Sequence, residues 1–260
     1  MMDKFNQYLE LSGCSNKTYS FLVKQFIDEV GIDNITEENI NTFLLKKKET
    51  DSPATLNLYI NAIKHLLKFL NKDIKVPKTF KEDEKIPDSF TLEYLEKNII
   101  PVVESIFENS LKIKTLFYFL FYTGLRKSEL LTLKRKDFDL EKRIAKIYQR
   151  KTKNEKIIVF PDKVSKLLEG YFAIEPETFN AFNLGKNTLD YYLNQLKRYF
   201  PEIKLRPHLF RHSFATHLLK SGVDIQSVSK LLGHKNLQTT IKYLNTNIDF
   251  LKEVYDKHIK

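Results

Sequence analysis

Apolar residues recur at spacings of three and four through the first seventy positions. Tyr19, Leu22, Val23, Phe26, Ile27 and Val30 form one such stripe behind Ser15, a candidate helix cap. Ile40, Phe43 and Leu44 form a second, opened by Thr36 and the acids Glu37 and Glu38. A longer third stripe runs through Leu56, Ile60, Ile63, Leu67 and Leu70 behind Ser52-Pro53, a cap followed by proline at the first helical position. With a helix over Phe5 to Leu11, the pattern predicts a four-helix unit at 1–72. The period then vanishes: NKDIKVPKTFKEDEKIPDSFT carries two prolines and many charges, so an exposed linker is expected at 73–90.

Beyond it the spacing predicts helices at 91–99, 101–109 and 111–122. Two short β runs, 144–149 and 156–160, flank RKTKNE and predict a hairpin. Helices follow at 161–172, 187–199, 207–221, 225–232, 237–245 and 248–259, while 173–186 has no readable period. No internal repeat breaks this order. The expected fold is mainly α with a small antiparallel β-sheet, a helical N-terminal domain preceding a larger one at 91–246.

Composition narrows the class. With 42% hydrophobic residues the chain can bury a sizeable core. Its longest apolar run, 116–122, is too short to span a bilayer. Acids within the first ten residues argue against a secretory signal. Cys14 is the one cysteine, which excludes a disulfide framework and any cysteine-based zinc site. A soluble, cytoplasmic protein without membrane partners is the expectation.

Charge narrows it further. The net +10 is unevenly placed: residues 1–87 hold 13 lysines against 13 acids, so the whole excess lies in 88–260. All seven arginines are there too, and 126–156 alone has 12 basic against 5 acidic residues. Arginine's planar fork suits bidentate phosphate contact, so the second domain is expected to face a polyanion.

Four stretches could carry the chemistry. In Thr123-Gly124-Leu125-Arg126-Lys127-Ser128-Glu129-Leu130, an apolar helix stops at glycine and Arg126 stands on the turn before the next helix. Gln149 to Lys156 is the tip of the hairpin, offering Lys151, Lys153 and Lys156. Pro207 to Leu219 carries His208 and Arg211 three residues apart, hence on one helical face. His208 and His212 share the spacing of metal ligands, but no cysteine or acid on this helix completes a set, so no metal is expected. In the last stretch Gly233 ends a helix, His234 sits at the break and Tyr243 follows nine residues later. Taken alone, 222–243 also reads as a helix-turn-helix that would place its second helix in a DNA groove.

Together and in this order the stretches resemble the tyrosine recombinase (phage integrase) family, with its TGLR-x-SEL box, hairpin lysine, H-x-x-R-H, LLGH and a tyrosine nine residues on. The resemblance implies a SAM-like core-binding domain at 1–72 and a catalytic domain at 91–246. It also implies a tail helix at 247–260 that docks on a neighbouring protomer in a cyclic tetramer holding two double-stranded DNA sites. It matches Arg126, Lys151, His208, Arg211, His234 and Tyr243 to the catalytic positions, with Tyr243 as nucleophile and no cofactor or metal. Phe210 stands where leucine is usual, and Arg150 and Thr152 replace flanking glycines, leaving Lys153 and Lys156 as competitors for Lys151. The implied activity is site-specific cutting and rejoining through a 3′-phosphotyrosine, in a simple Xer-like recombinase. A non-catalytic DNA-binding protein and a type IB topoisomerase-like nicking enzyme are the alternatives.

Overall fold

In the computed structural model residues 1–14, 17–81, 89–149, 154–233 and 238–241 are described, and the chain divides into two compact units, Met1–Glu84 and Lys85–Lys260. The first unit is helical: α1 (Met2–Leu11), α2 (Lys17–Val30), α3 (Glu37–Lys48) and α4 (Pro53–Phe69). The Thr36 hydroxyl accepts from the Asn39 amide and Ser52 from Thr55, so both caps close as the sequence predicts. Ser15 lies outside the described residues. The stripes meet in a core of Phe5, Val23, Phe26, Ile40, Ile60 and Ile63, all fully buried. Chain expected to be exposed linker is partly tied down here. Ile74, Val76 and Phe80 pack against this core, and the Asn57 amide holds both the N–H and the carbonyl of Phe80, at 2.7 and 3.0 Å.

The second unit starts with α5 (Leu92–Tyr94), a π turn (Leu95–Ile99) and α6 (Ile100–Ile106), which run on without interruption. A break at Pro101 is what the sequence predicts. The wider π turn instead shifts the hydrogen-bond register just where proline has no N–H to give, and the helix continues. Next comes α7 (Ser110–Thr123), buried on every side from Thr115 to Phe121, with Ile113, Leu116, Phe117, Phe119, Leu120 and Phe121 all in the core. Such a helix belongs in the centre of a core. Helices α9 (Asp162–Ile174) and α11 (Pro207–Lys220) pack against it.

Between them, α8 (Lys127–Leu130) and a 3₁₀ turn (Arg135–Asp137) lead into an antiparallel sheet. Its strands β1 (Phe138–Asp139), β2 (Ile144–Gln149) and β3 (Asn154–Val159) pair in sequence order, with Ile147 opposite Lys156. The expected hairpin is present, and β1, two residues long, joins its outer edge. Helices α10 (Thr188–Leu196), α12 (Ile225–Leu232) and α13 (Gln238–Ile241) complete the described elements. Helices α11 and α12 share a small core of Phe214, Ala215, Leu219, Val228 and Leu232. The tail at 247–260 lies outside the described residues.

Gly124 governs how these helices approach. It ends α7 with φ +58°, and a β-carbon there would lie 2.4 Å from the Phe214 ring and 3.1 Å from a Leu232 methyl. Gly124→Ala therefore meets two penalties, about 1–2 kcal/mol for the left-handed backbone and about 1–3 kcal/mol for overpacking. We expect a lower urea midpoint for the full chain; an unchanged midpoint would show that α7 and α11 separate freely.

Candidate active site

Two glycine-capped helix ends and one buried guanidinium make the site. Helix α7 stops at Gly124 and α12 stops at Gly233, each glycine in the left-handed region. Arg211, on α11, is 3% exposed and reaches both ends. Its Nη1 donates to the Gly124 carbonyl and its Nη2 to the Leu232 carbonyl, each at 2.7 Å. One side chain thus fastens together two turns more than a hundred residues apart in sequence. A planar fork spans two acceptors where a lysine point charge could not.

Arg126 stands on the first of these turns, directly ahead of α8. The Glu129 carboxylate accepts from its backbone N–H at 2.9 Å and from its Nη1 at 3.1 Å. Leu125 and Leu130 on either side are buried, so the turn is anchored. The Arg126 side chain nevertheless keeps 37% of its surface exposed, whereas Glu129 keeps 10%. A cation held from below and open above suits an incoming anion. Glu129, which motif order alone did not single out, is what orients it.

His208 sits on the first turn of α11, one helical step before Arg211. Desolvation, followed by the charges of Arg211, Arg206 and Arg126, holds its pKa below the usual imidazole value. A lowered pKa keeps the ring neutral at neutral pH, the form that accepts a proton. His212 lies one turn on, its ring centre 6.5 Å from that of His208. Among the described residues no group of three histidine, cysteine or acidic side chains gathers as a metal site.

The hairpin contributes a lysine from its stem. Lys156 lies on the inward face of β3 with Ile158, in step with Phe160 just past the strand, and its Nζ donates to the Leu232 carbonyl at 3.3 Å. Desolvation pushes its pKa down to about 8; Glu129 opposes the shift, and Arg211 and Arg126 add to it. The other predicted lysines, Lys151 and Lys153, lie outside the described residues, as do His234 and Tyr243. The structure thus brings together Arg126, His208 and Arg211 of the six predicted positions with Lys156, the competitor of Lys151, and adds Glu129.

Charge elsewhere is partly neutralised. In the first unit Lys46 and Lys47, in the last turn of α3, both pair with Glu29. Lys127 pairs with Asp190 of α10. No helix among the described residues is long and apolar enough to cross a membrane.

A model of the phage integrase family matches residues 94–249, a span that contains every site residue named above. The tyrosine recombinase XerA of Saccharolobus solfataricus is 31% identical over 279 residues, covering 98% of this chain and 92% of that protein. A crystal structure of a XerA recombinase superposes with a TM-score of 0.59 at 26% identity, covering 100% of this chain and 98% of the other. The fold is shared with a XerH site-specific recombinase bound to palindromic difH substrate in a post-cleavage complex. There the TM-score is 0.69 at 23% identity, with 91% of this chain and 76% of that one covered.

Proposed function

The chain belongs to the phage integrase family of tyrosine recombinases, and from that premise we propose that it cuts and rejoins double-stranded DNA at specific sites through a covalent 3′-phosphotyrosine. The observation that carries this reading is the convergence of Arg126, His208 and Arg211, the last fastened to the carbonyls of Gly124 and Leu232. XerH, with which the fold is shared, is described bound to its DNA substrate.

In the proposed reaction the Tyr243 oxygen attacks phosphorus, forming one P–O bond as the bond to the 5′-oxygen breaks. The tyrosine proton passes to His208, which is neutral at physiological pH. Negative charge gathers on the two nonbridging oxygens, where Arg126 and Arg211 stabilise the transition state more than the ground state. His234 adds a hydrogen bond, and Lys151 gives its proton to the departing 5′-oxygen. Attack on the phosphotyrosine by a 5′-hydroxyl of another strand reverses these steps, so rejoining needs no ATP, cofactor or metal.

The two-unit make-up fits a simple Xer-like enzyme in which both units contact the duplex. Four copies would hold two sites, each docking its 247–260 segment on the next in a closed ring. Resolution of chromosome or plasmid dimers and integration of a mobile element both use this chemistry.

The test begins with randomly nicked genomic fragments from the source cell. Fragments that stay attached to the protein in hot detergent identify the site, and a nicked duplex of that sequence then serves as substrate. No detergent-resistant adduct with any fragment would overturn the reading. On that duplex Lys151→Ala is expected to cleave about 10²–10⁴-fold more slowly, as for loss of a general acid. Sulfur in place of the 5′-bridging oxygen, a better leaving group, should restore the rate. Failure of that rescue would move the acid role to another group.

A further inference from the structure

Lys156 is a charged group in a place where charge is costly. The alternation of β3 turns it inward with Ile158, opposite Ile147, which is 2% exposed. Taking an ammonium out of water carries a penalty that only good partners offset. It donates to a backbone carbonyl, that of Leu232, to which Arg211 also donates. A carbonyl oxygen has two lone pairs, so it can receive both cations.

The position of that carbonyl gives the contact a purpose. Leu232 is the last residue of α12, where carbonyls lack helical partners and the helix dipole is negative. Gly233 follows as the left-handed cap, and the chain then enters His234. The Lys156 side chain lies along Gly233: a β-carbon there would come within 3.6–3.7 Å of its Nζ, Cε and Cδ. The charged groups facing Lys156 are Glu129 from α8, Arg126 from the turn before it, and Arg211 from α11. Lys156 therefore joins the hairpin to the end of α12, as Arg211 joins α7 to it.

We infer that Lys156 is a positioning residue of the recombination reaction: with Arg211 it holds the Leu232 carbonyl, and so fixes the end of α12 from which the chain continues to His234. This rests on the recombinase reading above. Lys156 touches no reacting atom and acts through the backbone. It is distinct in this from Lys151, the proposed proton donor.

The test uses the full chain and the nicked duplex recovered above, with adduct formation followed in a single turnover at saturating protein. Lys156→Met keeps the length of the side chain but neither its charge nor its donors. It should slow cleavage by up to about 100-fold, the cost of a misplaced group, with the Kd for the duplex unchanged. Lys156→Arg, which keeps both, should recover most of the rate. Adding His234→Ala to Lys156→Met should cost no more than His234→Ala alone, because both losses pass through one turn.

Sulfur at the 5′-bridging position should not rescue Lys156→Met. Three results would overturn the inference: wild-type cleavage by Lys156→Met, losses that multiply with that of His234→Ala, or rescue by sulfur, which would make Lys156 the acid. If Lys156→Met fails to fold, Lys156→Arg decides, and a rate as low as that of His234→Ala counts against the inference. An adduct with wild type separates all these failures from failure of the recombinase reading.

Discussion

Replacing Tyr243 with phenylalanine is expected to abolish the covalent protein–DNA adduct while leaving binding to the same duplex intact. The substitution removes one oxygen and nothing else, but that oxygen forms the bond to phosphorus. Loss of an enzymatic nucleophile costs rate on the order of 10⁴–10⁶, far below what a gel detects. Other tyrosines are poorly placed to substitute. Tyr94 donates to Glu202, and burial together with that carboxylate pushes its pKa up to about 12. Tyr171 is buried, with its pKa raised first by desolvation, and Tyr192 is raised for the same leading reason. A tyrosine serving as nucleophile must shed its proton as it attacks, so each of these environments works against the role. Tyr148, Tyr191 and Tyr199 are the exposed tyrosines among the described residues, and Tyr191, 56% exposed, serves as the control among them. An adduct that persists in Tyr243→Phe and disappears in Tyr191→Phe would displace Tyr243 from the mechanism.

What could be read from the sequence follows from which interactions are local. Caps at Thr36 and Ser52, the stop at Gly124 and the helix Ile225–Leu232 are set by neighbours within a few residues, and all are found. Arg126, His208 and Arg211 were legible because motif order preserves them, although 82 residues separate the first two in the chain. The continuity through Pro101 was not legible, since it depends on a π turn that no periodicity signals. Nor was β1, whose two residues exist as a strand only by pairing with Ala145 and Ile144. The segment 173–186 lacks a period because side-chain contacts to its backbone, both long-range and local, fix it. Arg135 donates to the carbonyls of Phe172 and Glu175, and the Asn180 side chain ties Leu184 through both its N–H and its carbonyl. Lys156 is the instructive case. Strand parity with Ile158 and Phe160 places it inward, yet a lysine in a charged hairpin invites the assumption that it faces water.

Arg211 is expected to show the largest combined loss of stability and activity. In Arg211→Ala two buried carbonyls lose a charged donor. Each unsatisfied acceptor costs about 1–3 kcal/mol, but the two ends are not equivalent. Leu232 keeps Lys156 as a donor, whereas the Gly124 carbonyl loses the side-chain donor that ties it to α11. The damage therefore concentrates at the turn that carries Arg126. Cleavage should fall by about 10²–10³-fold or more from the lost transition-state contact alone, and further because Arg126 is displaced. Arg211→Lys separates the two roles. Its single ammonium keeps a positive charge near the phosphate but cannot reach both carbonyls with a planar fork. It should regain part of the urea midpoint and little of the cleavage rate. The checks are urea unfolding of the full chain and single-turnover adduct formation by the folded fraction. A wild-type midpoint in Arg211→Ala would mean that the two glycine-capped turns are held by other contacts. A lowered midpoint with undiminished cleavage would leave Arg211 a structural tie and assign the phosphate to Arg126.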